Sequence, residues 1–97
     1  MKTTKMSFVE LRKSMINDIL TTTNGQNNIE WNLTGLWLCW NGLQELYHNQ
    51  TMYWCITFCT NSTYWSLPEE QDAYDRIYKI TRIGKWEYDV EVVKMTE

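Results

Sequence analysis

The sequence predicts a small α+β domain, and three observations support this class. A Ser-x-x-Glu start followed by apolar residues at helical spacing predicts a helix near the beginning of the chain. Residues 29–67 contain five of the six tryptophans and several turn signals, which is typical of a sheet. A second Ser-x-x-Glu start and a final alternating segment predict another helix and a last strand. The predicted order is a helix, an antiparallel meander of three to four strands, a helix and a C-terminal strand.

Length, composition and charge restrict the class of protein. The 97 residues fit a single α+β domain over 1–97, and 43% hydrophobic with 22% charged residues is typical of a globular chain. The net charge of −3 argues against direct binding of nucleic acid, because that affinity needs clustered Lys and Arg. A protein partner with a basic surface is the better match. The sequence shows no signal peptide and no apolar segment of membrane-spanning length, so we expect a cytoplasmic protein without membrane contact.

The first helix is predicted to begin near Phe8. Ser7 and Glu10 have the spacing of a capping box, in which each side chain accepts a hydrogen bond from a backbone N–H at the helix start. The apolar stripe that should face the sheet consists of Phe8, Leu11, Met15, Ile19 and Leu20. A loop is predicted over 24–28.

The tryptophan-rich stretch predicts the sheet. Alternation from Ile29 predicts a strand over 29–40, and Asn41 with Gly42 favours a type I′ hairpin. The return strand would cover 43–48, although its apolar residues also fit one helical turn. A reversal over 48–51 then leads to the most strongly predicted strand, 52–60, which we expect at the centre of the sheet.

A short pairing segment is expected over 63–66, before the second helix. Ser66 and Glu69 repeat the capping box, and Pro68 suits a first helical turn, so a helix is predicted up to Gly84. The chain should close with a strand over 85–95. The predicted inward side chains of that strand are Trp86, Tyr88, Val90 and Val92, and the outward ones are Glu87, Asp89 and Glu91.

The second face of the sheet is the first candidate surface. If one helix packs on each face, all apolar residues of the sheet belong to the core. If both helices pack on one face, a surface with Trp31, Trp37 and Tyr53 stays exposed as a homodimer interface or a partner site.

The acidic residues of the last strand are the second candidate. Alternate residues of a strand lie about 7 Å apart, close to twice the rise between successive phosphates of a DNA strand. The row could therefore imitate nucleic acid and occupy a basic groove; the alternative is a solvated edge strand protected from aggregation by its charge. The predicted partner-binding residues are Glu87, Asp89, Glu91, Glu70 and Asp72, with Trp31 and Tyr53 as apolar anchors.

Cysteines and the single histidine are the candidates for catalysis. Cys39, Cys55 and Cys59 make an odd number, and the last two would lie about 13 Å apart on one strand, too far for a disulfide. A nucleophilic cysteine needs a base, and His48 is the only histidine. No motif supports such a pair, and no paired spacing supports a metal site. We therefore expect reduced, buried cysteines and a protein that is not an enzyme and has no cofactor or metal.

The function predicted from these observations is that of a small acidic binding protein that occludes a macromolecular partner. Immunity proteins for toxins and phage-encoded inhibitors of host defence act in this way. The alternative is a domain that binds or sequesters a small molecule or nucleotide, possibly as a dimer, in a pocket lined by tryptophans.

Overall fold

The computed structural model describes residues 3–22, 29–57 and 61–96, and these form a layer of two helices on a five-stranded antiparallel sheet. The α+β class is confirmed. The elements are β1 Thr3–Ser7, α1 Phe8–Thr22, α2 Ile29–Glu45, β2 Thr51–Ile56, β3 Asn61–Tyr64, β4 Arg76–Gly84 and β5 Glu87–Met95. Their order in the sheet is β1-β5-β4-β2-β3, so the connection from β3 to β4 crosses β2.

Helix α1 begins at the predicted residue. The Ser7 N–H donates to Glu10 Oε1 at 3.0 Å, and the Glu10 N–H donates to Ser7 Oγ at 3.1 Å. The hydrogen bond from the Ser7 backbone lowers the pKa of Glu10. The stripe from Phe8 to Ile19 is buried as predicted, but Leu20 is 48% exposed and does not belong to it.

Helix α2 occupies the stretch predicted as a strand, a hairpin turn and a return strand. The side chains of Leu36, Cys39, Trp40 and Leu43 recur at helical spacing and are buried against the sheet. The strand prediction is wrong because apolar residues also occur on the outer side of the helix, which hides its period. Leucines outnumber β-branched residues over 29–45, and leucine favours a helix.

The second predicted helix is also wrong. Residues 71–73 form a single 3₁₀ turn, and Arg76–Gly84 is strand β4, which pairs with both β2 and β5. Four of the nine β4 residues are β-branched, which favours a strand. A capping box and a proline specify how a helix can start, but they do not make the following residues helical.

Strand predictions succeed where the alternation is clean. β2 confirms the predicted strand over 52–56 as an interior one, paired with β3 and β4, although β4 lies at the centre of the sheet; Thr57 lies beyond its end, and 58–60 lie outside the described residues. β5 confirms the last strand, with Tyr88 and Val90 buried and Val92 packed against the core. Trp86 is not inward as predicted: it precedes β5 in a turn and is 49% exposed. β1 was not predicted. Only Thr4 and Met6 of its five residues face the helices, so the sequence shows no clear alternation of apolar residues there.

Both helices pack on one face of the sheet. The helix-facing side chains include Met52, Trp54, Tyr78, Ile80, Tyr88 and Val90, which pair across neighbouring strands in register. Alternation turns their neighbours to the opposite face, where no helix lies. Toward one end, that face is covered by the connection between β3 and β4. Cys55 and Ile77 are fully buried there, and Lys94 Nζ donates to the Gln71 carbonyl oxygen at 3.0 Å.

A polar cluster joins α2 to the sheet. Asn61 Oδ1 accepts a hydrogen bond from Trp54 Nε1 at 3.1 Å, and Asn61 Nδ2 donates to the Asn32 carbonyl oxygen at 3.1 Å. The fully buried Asn32 also accepts from Asn61 through its side-chain oxygen. Gly35 allows this approach, since a Cβ at Gly35 would lie 2.8 Å from Asn61 Nδ2.

Two glycines of α2 provide a test of this cluster. Gly42→Ala should raise the free energy of unfolding by up to about 1 kcal/mol, because alanine favours a helix and the new Cβ would meet the nearest atom, Trp65 Cη2, at an ordinary 3.5 Å. Gly35→Ala should instead lower it by about 1–3 kcal/mol, because Asn61 must move and leave buried polar groups without partners. Urea denaturation of both variants measures the difference. Equal stabilisation by the two substitutions would contradict the packing described here.

Candidate functional site

The uncovered part of the sheet face presents two rows of polar side chains. One row crosses four strands through Tyr53, Lys79, Glu91 and Thr3. The next runs through Thr51, Thr81, Asp89 and Lys5. These residues are half-buried or exposed, as expected for side chains that pack only against one another in a sheet. The sheet thus offers a broad, polar surface on the side opposite the helices.

The three predicted acidic residues of β5 lie on this face. Lysines flank them on both sides, because Lys5 pairs with Asp89 and Lys79 pairs with Glu91 across the strands. Lys5 Nζ also lies 3.3 Å from Glu87 Oε2, with the two side chains 66% and 53% exposed. Such an exposed pair contributes less than about 1 kcal/mol. Within the described residues, Asp89 and Glu91 form no ion pair.

The position of β5 excludes the alternative of a charged edge strand. β5 lies between β1 and β4 and is hydrogen-bonded on both sides. Its carboxylates therefore do not protect an unpaired edge. Their role has to be sought on the face of the sheet.

The other predicted partner-binding residues are divided between the two layers. Tyr53 lies in the same row as Lys79 and Glu91. Glu70 and Asp72 are exposed in the connection before β4, on either side of the Gln71 carbonyl that accepts the Lys94 bond. Trp31 belongs to α2 in the opposite layer, and its side chain is outside what the structure describes. The sequence thus grouped residues that the fold separates.

Thiol chemistry has no support in the described part of the chain. Cys39 and Cys55 are buried, and burial raises the pKa of each thiol to about 11. His48 is exposed in the turn before β2, and Cys59 lies outside the described residues. The described residues contain no group of His, Cys, Asp and Glu that could hold a metal ion.

A small cavity of about 140 Å³ lies between α1 and the sheet. At its rim, Arg76 Nη1 donates to Asp18 Oδ1 at 2.9 Å, and both side chains are largely buried. Burial, and then a hydrogen bond to Asp18, raise the pKa of Tyr78. The two charges pair and tie the end of α1 to β4, although Arg76 Nε is buried without an acceptor among the described residues.

A groove that sequence reasoning missed lies between the start of α1, helix α2 and the turn before β5. Its volume is about 560 Å³, and its lining residues are Ser7, Phe8, Val9, Arg12, Gln44 and Trp86. The Phe8 and Trp86 rings lie 5.7 Å apart, and the Phe8 N–H donates to the Trp86 carbonyl oxygen at 2.8 Å. The only sequence signal is the helical spacing of Phe8 and Arg12, which is common on any helix.

No family model, curated protein or solved structure matches the chain. No helix in the described ranges is long and apolar enough to cross a membrane. Any statement about function must therefore start from the surfaces themselves.

The buried thiols should make stability depend on alkaline pH. Between about pH 9 and 11, thiols of the unfolded chain ionise while those of the folded chain stay protonated. The folded state then binds more protons, so the free energy of unfolding should fall as the pH rises through this range. Below pH 9 the thiols should cause no change.

Cys55→Ala provides the control for this pH dependence. The pKa values of Tyr78 and Tyr88 are also raised by burial and add a slope of the same sign, so the variant isolates the contribution of Cys55. Denaturation at pH 8 to 11 should show a shallower decrease for the variant. Identical slopes for the variant and the parent protein would contradict a buried, protonated Cys55.

Proposed function

We propose that the protein is a non-enzymatic binding protein whose open sheet face occludes a basic surface of a protein partner. The observation that carries the proposal is the acidic row of Glu87, Asp89 and Glu91 on a sheet face without a covering helix. A depression of about 200 Å³ on this face, lined in part by Lys79, Asp89 and Glu91, offers a place for a side chain of the partner.

The carboxylates of this face can form ion pairs with a partner at little cost to the stability of this protein. The exposed bond between Lys5 and Glu87 contributes little to stability, and a guanidinium of the partner can replace the ammonium with a bidentate contact. Asp89 and Glu91 need not give up an ion pair with any other described residue. A partner rich in arginine would therefore gain charge-assisted hydrogen bonds without large losses inside this protein.

Nearby residues extend the surface beyond the strand. Tyr53 adds an amphipathic ring in the row of Glu91, and tyrosine is enriched at the centres of interfaces. Glu70 and Asp72 add exposed negative charge on the connection that borders the face. Trp31 is not part of this surface, because α2 lies on the other side of the sheet.

The mode of action suits two classes of protein: immunity proteins that neutralise a toxin, and phage-encoded inhibitors of a host defence. Where the target of such a protein handles nucleic acid, its functional site is basic, and a small preformed acidic surface can block it. Neighbouring carboxylates of the acidic row lie about 7 Å apart, which is close to twice the rise between successive phosphates of a DNA strand. Their spacing therefore matches positions on the partner that would bind alternate phosphates.

A pair of charge-matched variants tests the proposed surface. Asp89→Asn with Glu91→Gln should weaken the complex with a co-purified partner at least about tenfold, because two charge-assisted contacts are lost. Glu30→Gln with Glu45→Gln changes the net charge equally but alters exposed residues of α2, so it should retain the affinity. Affinity purification from the source cells supplies the partner, and calorimetry measures both complexes.

Three results decide the outcome. Selective loss in the β5 variant, together with weaker binding at high salt, supports the proposal. Equal affinity in both variants contradicts it. Self-association through this face, detected by analytical ultracentrifugation and abolished by the β5 variant, would replace the basic partner with a second copy of the chain.

A further inference from the structure

The groove beside Trp86 contains a cation without an anionic partner. The Arg12 guanidinium carbon lies 4.5 Å from the centroid of the Trp40 ring and 5.6 Å from that of Phe8. Arg12 forms no ion pair with any other described residue. Its Nε is buried and finds no acceptor there. The guanidinium is therefore held in place by aromatic rings, while its hydrogen-bonding capacity is not used.

A second unpartnered donor lies next to it. Trp40 is 5% exposed, and its Nε1 is buried without an acceptor among the described residues. Trp40 does not line the groove, and it reaches the site only through the contact of its ring with the Arg12 guanidinium. Buried donors are nearly always satisfied in folded proteins, but Asn32 Nδ2 and Arg76 Nε are also without an acceptor, so this feature alone does not mark a site. An anion bound in the groove would give the Arg12 guanidinium an acceptor at Nη1 or Nη2, since Nε itself is buried.

The walls of the groove are suited to a flat ring. Trp86 is 49% exposed and Val9 is 58% exposed, so both present apolar surface to a ligand. Phe8 supports Trp86 from within the core through the ring contact and the backbone hydrogen bond described above. A ring can therefore stack on a tryptophan that is already fixed in position, with little loss of conformational freedom.

One end of helix α1 contributes a positive potential to the groove. The groove includes the first residues of α1, where the helix dipole is positive. Trp86 is flanked in the chain by exposed residues of opposite charge, Lys85 and Glu87, which add no net charge. Glu10 opposes this field, but its carboxylate accepts the capping hydrogen bond from Ser7.

We propose that this groove binds a small ligand in which a flat aromatic ring carries one anionic group. The ring stacks on Trp86, and the anion accepts hydrogen bonds from the Arg12 guanidinium. A phosphate and a carboxylate both offer that chemistry, and the volume of about 560 Å³ accommodates a molecule of mononucleotide size. This site goes beyond the proposed function, because it lies between the helices and the turn, away from the open sheet face.

Three probes distinguish the sources of the anion. Adenosine 5′-monophosphate tests a phosphate, indole-3-acetate tests a carboxylate, and adenosine presents a ring without charge. Titration followed by calorimetry and by two-dimensional NMR of the indole N–H groups should show binding of at least one charged probe. Adenosine should bind at least about tenfold more weakly, because it cannot use the charge-assisted hydrogen bonds. The signals of Trp86 and Trp40 should shift more than that of Trp54.

Variants then identify the residues that make the contact. Arg12→Gln and Trp86→Leu should each weaken binding of the charged probe about tenfold or more. Arg12→Lys should have an affinity between those of the parent protein and Arg12→Gln, because lysine keeps the positive charge but lacks the planar guanidinium. Lys13→Gln is the matched control: it removes the same charge from the adjacent, exposed residue of α1 and should change the affinity less than about threefold.

Several outcomes would overturn the site. No shift of the Trp86 or Trp40 signals by either charged probe at millimolar concentration would do so, and this result does not depend on a variant that must fold. Equal affinity for adenosine and its monophosphate, or equal losses in Arg12→Gln and Lys13→Gln, would also exclude the Arg12 contact. Thermal unfolding of each variant separates lost contacts from lost structure.

Discussion

The structure depends on the alternation of side chains along β4 and β5. Tyr78 and Ile80 of β4, with Tyr88 and Val90 of β5, face the helices and form the floor of the core. The period of two then turns charged and polar residues to the other side, and only the connection after β3 covers part of it. Both helices pack on the side of these apolar residues, whereas the described rows of the opposite face consist mainly of polar and charged side chains. The open face is therefore specified by the same residues that build the core.

This dependence explains which parts of the fold the sequence could reveal. The capping box of α1 uses neighbouring residues, and it was correctly predicted because those contacts are local. The outward direction of Glu87, Asp89 and Glu91 was also predictable, because strict alternation leaves a strand little choice of face. Helix α2 was not, because apolar residues such as Trp37 and Leu38 are 61% and 68% exposed and mask the helical period.

Long-range contacts account for the remaining errors. β4 is a strand because β2 and β5 supply partners for its backbone, and neither partner is visible in the local sequence 66–84. The approach of Asn61 to Gly35 likewise joins residues from different layers. The groove combines Arg12 with Gln44 and Trp86, which are far apart in the chain and share no motif. Sequence spacing can show which residues share one side of a helix or strand, but it cannot reveal a site assembled from three such elements.

The net charge of the chain also conceals how its charges are distributed. A value of −3 argues against tracking a long phosphate backbone, since that requires many cations in one place. It does not argue against a site for one anion, which needs a single guanidinium in a partly dry, aromatic setting. Arg12 has that setting, whereas Arg76 is paired with Asp18 and Arg82 donates to the carbonyl oxygens of Gln44 and Leu46. Arg12 differs from these two in having no ion pair and no hydrogen bond to any other described residue, although Arg76 Nε, like Arg12 Nε, is buried without an acceptor there.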